Sequence, residues 1–394
     1  MLGLAVAIAI LAIIIIIIIV ASHSSTIIGK INCIFYVKST TEPTEILSNN
    51  FAEDSNLNIL VDGEIIKYSK KHLFNTTGEH KVSFIFSKSL NMNYMFKDID
   101  SLIKVEMISD KNATITSMIS TFENCRYLKK LTIKGFDTSN VKSLHKFLYQ
   151  SNLEFLDFSE IQINTAKVED MSYMFSYTRI KNLNLSNIDT SNVVNMSHIF
   201  DGCSSLIDLD VSKFNTSNVK YMLGMFRKLN KITVIKGIEN FKTNNIVDMG
   251  YMFAECNKLK SLNLSNFDTS KVEKMNYMFS ECNSLTSLDI TKFNTSQVTK
   301  MTGMFRFMTS IKSLDLSHFN TNKVTDMSKM FQDCWKLLSI DLSNFKTSKV
   351  TTFEGLFLNC FNLEEIKINN FDTRQSRDMN NMFYNCKSLT SLDV

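Results

Sequence analysis

An aspartate recurs at one position of a repeated unit, and this column holds the side chains best suited to bind a ligand. Its members are Asp157, Asp210, Asp289, Asp315, Asp341 and Asp393, with Asn184 and Asn263 at the same position. In Leu314-Asp315-Leu316 the carboxylate lies between two apolar residues, so in a strand it points away from the core. Stacked carboxylates would form a binding strip for a cationic partner or for Ca²⁺. In the alternative, which the sequence favours, each carboxylate accepts hydrogen bonds from nearby backbone or from a serine column that includes Ser265, Ser317 and Ser343.

Residue patterns for catalysis are missing from the sequence. It contains no P-loop, no G-x-S-x-G, no H-E-x-x-H and no C-x-x-C, and its six histidines neither cluster nor share a repeat position. The net charge of +4, from 43 basic and 39 acidic residues, is too balanced for a nucleic-acid-binding surface. We therefore predict no enzyme activity, no cofactor, no metal centre and no nucleic-acid partner.

Cysteine occupies a second column of the repeat. The column consists of Cys125, Cys203, Cys256, Cys282, Cys334, Cys360 and Cys386, and Cys33 lies outside it. Stacking would bring neighbouring thiols to about 5 Å, which permits a disulfide by distance, but parallel side-chain directions disfavour one. We expect free, buried thiols that pack as small hydrophobes. Most of the 21 methionines fill two further columns beside a phenylalanine column, and we expect them to form the core.

A threonine column has three interpretations. Its members are Thr138, Thr190, Thr216, Thr243, Thr269, Thr295, Thr321, Thr347 and Thr373. An exposed threonine ladder would suit ice or glycan binding. The position just before an apolar stripe with helical spacing favours helix N-capping and turn formation instead.

All these columns arise from one repeat with a period of about 26 residues. Its pattern M-x-x-M-F begins, with substitutions, at Met92, Met118, Leu144, Met171, Met196, Met222, Met249, Met275, Met301, Met327, Phe353 and Met379. A fixed period of this size indicates a solenoid, in which each unit packs only on its neighbours. The hydrophobic content of 44% excludes wholesale disorder, and the single proline fits an array of uniform units.

Two elements position the columns within each unit. Leu262-Asn263-Leu264 alternates with period 2, which predicts a short strand. Val272, Met275, Met278, Phe279 and Cys282 have the spacing of an apolar stripe on a short helix. The predicted fold is therefore an α/β solenoid of about 12 strand-helix units, with a parallel sheet on one side and helices on the other.

The unit L-x-x-L-D-L-S-x-F-D-T-S-x-V-x-x-M-x-x-M-F-x-x-C resembles the 26-residue repeat of bacterial surface proteins, the BspA-like branch of the leucine-rich repeats. The segment from Phe319 to Phe331 (FNTNKVTDMSKMF) is a close match, and the resemblance covers about residues 92–394. It implies a leucine-rich-repeat-like solenoid on a cell surface, often associated with adhesion or host-protein binding. It implies no catalytic residues.

The N-terminal residues predict a membrane segment. Leu2 to Ala21 is an unbroken apolar run, long enough as a helix to span about 30 Å of bilayer core. No basic residue precedes it, so an uncleaved transmembrane signal anchor over residues 1–24 is favoured over a long signal peptide. The protein would be membrane-anchored at the cell surface, or secreted if the segment is cleaved.

Two further regions follow the membrane segment. Residues 25–90 have strand-like patterns and a hairpin signal at Asp62-Gly63, which predicts a small β-rich domain. We expect this domain to cap the array, although a separate ligand-binding module is the alternative. The repeats occupy residues 91–394, and because the chain ends inside a strand at Asp393-Val394 we expect the array to be truncated.

These features predict a non-enzymatic surface protein that binds a protein ligand on a host or neighbouring cell. Binding would use the exposed face of the sheet, including the aspartate column. The alternative function is a structural surface spacer without a specific ligand.

Overall fold

The computed structural model describes residues 27–393, and these form a β-sheet domain joined to a β-solenoid. The first nine strands are β1 (Gly29–Val37), β2 (Thr44–Glu45), β3 (Leu57–Val61), β4 (Glu64–Ile66), β5 (Lys71–His72), β6 (Gly78–Phe86), β7 (Leu90–Asn91), β8 (Leu102–Ser117) and β9 (Lys130–Asp137). Seven of them make one sheet in the order β4-β3-β6-β1-β8-β7, with β9 paired to β8. The predicted hairpin at Asp62-Gly63 is present, and both residues have the positive φ that a type I′ turn requires.

The sheet continues directly into the first coils of the solenoid. β8 pairs antiparallel with β1 on one side and parallel with β9 on the other. Phe84 of β6 contacts Phe96 of the first repeat, with ring centroids 5.6 Å apart. The antiparallel sheet therefore covers the apolar end of the repeat core.

Each repeat forms one coil of the solenoid, and coils stack in parallel. Its strands are short: β10 (Phe155–Asp157), β11 (Asn182–Asn184), β12 (Ser339–Asp341), β13 (Glu365–Lys367) and β14 (Ser391–Asp393). Equivalent residues are in register, as in Ile340 opposite Ile366 and Ile366 opposite Leu392. A second ladder of parallel bridges joins the residues just before the M-x-x-M-F pattern from Ser143 to Asp378. The prediction of a solenoid with one unit per repeat is confirmed.

The predicted helix in each unit is wrong, and so is the α/β, leucine-rich-repeat-like architecture. Among the described residues the only helix is a single 3₁₀ turn, η1 (Ile238–Asn240). In residues 275–282 the N–H groups of Tyr277, Phe279 and Glu281 donate to carbonyls of the next coil. The N–H groups of the residues between them donate three residues back in the same coil. Because every second donor is used between coils, an α-helical hydrogen-bond pattern cannot form.

Left-handed backbone at two positions per coil produces this alternation. Tyr277 has φ 55° and Glu281 has φ 62°, and the equivalent two positions are left-handed in all twelve coils. Only four of these residues are glycine, namely Gly202, Gly224, Gly303 and Gly355. Elsewhere a side chain is held in a conformation that costs roughly 1–2 kcal/mol, and stacking with neighbouring coils must offset it.

Replacing Glu281 by glycine should therefore stabilise the protein by about 0.5–1 kcal/mol, because glycine adopts positive φ without steric cost. Glu281 makes only a long ion pair of 3.8 Å with Arg306, so little else is lost. Glu281→Ala is the matched control, since it removes the same ion pair but keeps Cβ. Urea unfolding of the three proteins measures the effect, and equal stability of the glycine and alanine variants would contradict it.

The core is a set of side-chain columns that run through the coils. From Phe175 to Phe383 the successive rings of the phenylalanine column are 5.3–6.0 Å apart, with planes within 13° of parallel. Both methionine columns are buried except for Met379 in the last coil, so their predicted core role is confirmed.

The predicted membrane segment, residues 1–24, lies outside the described residues. Within residues 27–393 no helix is long and apolar enough to span a membrane.

Candidate functional site

The predicted aspartate strip lies on the exposed strand side of the solenoid, where every carboxylate except that of Asp393 accepts a hydrogen bond from its own coil. Asp393 accepts from Asn369 of the preceding coil at 3.3 Å. Asp315 Oδ1 accepts from the backbone N–H of Ser317 at 3.0 Å and from its hydroxyl at 2.7 Å. Asp157 and Asp289 make the same pair of bonds with the residue two positions later. The geometry agrees with the structural alternative, in which the aspartates stabilise turns.

The structure brings only part of the strip together. Asp289, Asp315 and Asp341 belong to consecutive coils, whereas Asp210 pairs with Lys236 and Asp393 with Lys367 across the ladder. Asp157 pairs with Asn184. Nowhere in residues 27–393 do three or more acidic, histidine or cysteine side chains converge as a metal site would require. The strip is a row of separately hydrogen-bonded carboxylates.

These hydrogen bonds predict a pH-dependent contribution to stability. The hydroxyl and backbone N–H of Ser317 lower the pKa of Asp315. A depressed folded-state pKa stabilises the fold above the unfolded value, about 3.9, and this contribution disappears as pH falls through the folded pKa. Ser317→Ala should therefore melt below the wild type at pH 7, and the difference should vanish in acid. Thermal melts of both proteins from pH 7 into acid measure this difference in melting temperature. A difference that does not change with pH would contradict a stabilising role for the ionised Asp315 carboxylate.

Apart from the exposed Thr373, the threonine column lies inside the solenoid, where it joins adjacent coils. Thr295 Oγ1 accepts the backbone N–H of Asn320 at 2.8 Å and donates to the carbonyl of the same residue at 2.9 Å. The same two-way bridge is made by Thr165, Thr190, Thr216, Thr243, Thr269, Thr321 and Thr347. All eight are at most 2% exposed, so ice or glycan binding by this ladder is ruled out. Helix N-capping is also wrong, because no helix follows.

The cysteine column contains free, buried thiols, as predicted. Each Sγ donates to the carbonyl of a phenylalanine in the preceding coil, as in Cys282 to Phe253 at 3.2 Å. Burial raises the pKa of Cys203, Cys256 and Cys334 to about 12, so these thiols stay protonated. A protonated, buried thiol is a poor nucleophile, which gives the column a packing role.

A second surface, which the sequence did not predict, collects aromatic and basic side chains on the side of the solenoid. It is formed by the tyrosine, arginine and lysine residues at the second, fifth and sixth positions after the first residue of the M-x-x-M-F pattern, in the five coils that begin at Leu144, Met171, Met196, Met222 and Met249. We call it the tyrosine face, and it consists of Lys146, Tyr149, Tyr173, Tyr177, Arg227, Lys228 and Tyr251. Tyr177 is 39% exposed and the others are half-buried.

Two rings of this surface stack on rings of the next coil, whereas Tyr149 lies edge-on to Tyr173 and Tyr177. Tyr173 stacks on His198 with centroids 4.6 Å apart, and Tyr251 stacks on Tyr277 at 4.9 Å. His198 in turn covers Gly224 of the next coil, where an added Cβ would lie 2.6 Å from the imidazole. One face of Tyr173 and one face of Tyr251 are therefore covered by the next coil.

Basic side chains lie over the remaining ring surfaces. The Lys146 Nζ is 5.2 Å from the centroid of Tyr149, and the Arg227 guanidinium is 5.5 Å from that of Tyr251. Lys228 Nζ is 5.8 Å from the centroid of Tyr177. Such cation–π contacts are worth about 0.5–1 kcal/mol at exposed sites and hold the charges at the surface.

Two carboxylates lie beneath these rings and cations. Asp201 Oδ2 accepts from His198 Nδ1 at 2.9 Å, and the Asp201 side chain is only 4% exposed. Glu123, 7% exposed, is 3.8 Å from Lys146 Nζ. Burial and the Asp201 charge raise the pKa of Tyr173, which keeps its hydroxyl protonated and able to donate.

One serine, histidine and aspartate group beside this surface differs from a catalytic triad. Ser172 Oγ donates to Asp170 Oδ1 at 2.6 Å, and His145 Nδ1 is 2.7 Å from the same hydroxyl. In a triad the serine donates to histidine and the carboxylate accepts from the other ring nitrogen. Here the serine proton goes to the carboxylate, and Ser172 is 3% exposed, so the group is structural.

Comparison with known proteins identifies a family for the repeats. Four consecutive segments, residues 90–157, 151–234, 224–313 and 304–393, match the family described as "Mycoplasma protein of unknown function, DUF285". No curated protein and no solved structure was matched to the chain.

Proposed function

The chain belongs to this DUF285 family, and we propose that it functions by binding a protein partner along the side of its solenoid. The observation on which the proposal rests is the tyrosine face, a surface of tyrosine, arginine and lysine side chains fixed by stacking between coils. Tyrosine and arginine are the residue types most enriched at the energetic centres of protein interfaces.

The rigidity of this surface supports binding. Five of its seven side chains belong to residues whose backbone N–H donates to the next coil, such as Tyr251 N–H to the Asn276 carbonyl at 2.9 Å. Side chains that are already ordered lose less entropy on association, so more of the contact energy contributes to affinity.

The aspartate strip is a weaker candidate for the binding surface. Its carboxylates already accept hydrogen bonds from their own coils, and a ligand would have to compete with those bonds. We therefore propose that the partner binds the tyrosine face and not the aspartate strip.

A position on the cell surface is part of this proposal. The similarity of residues 319–331 to the BspA-like surface repeat supports it, as does the apolar run from Leu2 to Ala21. Protease treatment of intact cells tests it directly: loss of the repeats from the cell-bound fraction is expected, and full protection would contradict surface display.

Partner binding is tested by titrating the labelled full chain onto intact host or neighbouring cells. We expect saturable binding that disappears after the cells are treated with protease, because the proposed ligand is a protein. The heat-unfolded chain is the control for adsorption. Binding that neither saturates nor depends on cell-surface protein would overturn the proposal and support the structural spacer.

A further inference from the structure

We propose that the tyrosine face docks an acidic polypeptide segment of the partner. This inference rests on the proposed function, which places binding on the tyrosine face, and adds the chemistry of the ligand. It follows from the charges that the surface exposes, the orientation of its rings and its length.

The charge exposed by this surface is mainly positive. The side chains of Lys146, Arg227 and Lys228 are 32%, 27% and 30% exposed. The nearby carboxylates of Glu123 and Asp201 are 7% and 4% exposed, so they hold the cations from below and are hidden from a partner. Two acidic groups reach the same level. Glu255, 28% exposed, is paired with Arg227 at 2.7 Å and with Lys228 at 3.7 Å, and Asp170, 36% exposed, lies 4.0 Å from His145. A complementary partner carries negative charge.

Ring orientation favours a polypeptide over a glycan or a nucleic acid. Sugars and bases bind tyrosine by stacking on the ring face. One face of Tyr173 and one of Tyr251 are covered by His198 and Tyr277, respectively. Lys146 and Lys228 lie over the rings of Tyr149 and Tyr177. Tyrosine hydroxyl groups and the cationic nitrogens are hydrogen-bond donors that match carboxylate oxygens.

The surface is long and shallow, which suits an extended segment. It crosses five coils from Lys146 to Tyr251, or roughly 20 Å at the usual spacing between strands. A run of about six extended residues covers that distance. Tyr177, the most exposed ring, lies near the middle of the tyrosine face beside Lys228.

The test measures binding of a fluorescent glutamate homopeptide to the full chain by anisotropy. We expect saturable binding that weakens as salt is raised, because exposed charges are screened. Arg227→Gln with Lys228→Gln should weaken it at least about tenfold. Lys323→Gln with Lys349→Gln is the matched control: it removes the same charge from a different column of the coil and should leave affinity unchanged.

A second variant tests the tyrosine hydroxyls without changing charge. Tyr177→Phe keeps the ring under Lys228 and removes only the hydroxyl donor. We expect it to weaken peptide binding at least about tenfold, in line with the loss of a hydrogen bond to a charged group. Thermal melts of all variants establish that each is folded.

Three outcomes would overturn the inference. The first is equal loss of affinity in the Arg227/Lys228 and Lys323/Lys349 variants, which would show nonspecific charge attraction. The second is binding of heparin by the tyrosine face in place of the glutamate peptide, which would make the ligand a sulfated glycan. The third is saturable cell binding that the Arg227/Lys228 change leaves intact, which would show that the chain binds a protein partner without an acidic segment on the tyrosine face.

Discussion

Replacing Thr295 by valine should destabilise the protein by about 1–3 kcal/mol, because it leaves two partly buried backbone groups without a partner. In the folded chain the Thr295 hydroxyl satisfies both the N–H and the C=O of Asn320 in the next coil. Valine has nearly the same volume, so the change isolates the hydroxyl. Thr295→Ser keeps the hydroxyl and loses one methyl group, which should cost only about 1 kcal/mol.

Urea unfolding of the two variants and the wild type measures this difference. Hydrogen exchange at the Asn320 amide provides a local readout, since valine at position 295 should accelerate it and serine should not. If valine and serine are equally tolerated, the threonine ladder does not join the coils as described.

Replacing Gly237 by alanine should destabilise the protein by about 2–5 kcal/mol, because steric overlap adds to backbone strain. Gly237 has φ 82°, and a Cβ there would lie 2.3 Å from the backbone N and Cα of Ser212 in the preceding coil. Backbone atoms cannot move aside as the end of a flexible side chain can. The coils would have to separate locally, which breaks the ladder around Lys236.

Gly355→Ala is the matched control for this effect. Gly355 also has positive φ, 60°, but its added Cβ meets nothing closer than 3.5 Å. It should cost only the conformational strain of about 1 kcal/mol. Melting temperatures of the two variants separate the cost of steric overlap from the cost of backbone strain. Similar melting temperatures would contradict the close approach of coils at Gly237.

The solenoid and its core were predictable because they depend on spacing alone. The 26-residue period, the phenylalanine and methionine columns and the buried thiols follow from which residues recur together. The helix was wrongly predicted because apolar residues at Met275, Met278, Phe279 and Cys282 are buried equally well by a helix or by a run of turns. The helix and the run of turns differ in the sign of φ at Tyr277 and Glu281, which is positive in the turns. Neither tyrosine nor glutamate indicates positive φ.

A weak signal for the left-handed positions was present elsewhere in the repeat. Glycine at positions 202, 224, 303 and 355, and asparagine at 124, 359, 381 and 385, occupy the same two columns. Both residue types tolerate left-handed backbone, and glycine is a poor helix former. Their recurrence within a predicted helix argued against that helix.

The tyrosine face was missed for the same reason. The pattern M-x-Y-M places Tyr94, Tyr173, Tyr251 and Tyr277 in one column, but the helix interpretation gave that column no special exposure. The aspartate column was more conspicuous because carboxylates suggest ligands. The hydrogen bonds that these carboxylates accept from residues two positions later explain why aspartate recurs there, and no ligand is needed. The threonines are buried by the backbone of the next coil, so the pattern within one repeat could not predict their burial.

Each repeat is one coil of a β-solenoid without a helix, and this arrangement creates the tyrosine face. Far-ultraviolet circular dichroism of residues 27–393 tests it most directly. The structure predicts a β-type spectrum without the paired minima of an α-helix, because η1 is the only helical turn in that range. A spectrum with helix for about eight residues in every 26 would show the strand-helix array instead, and would contradict the account.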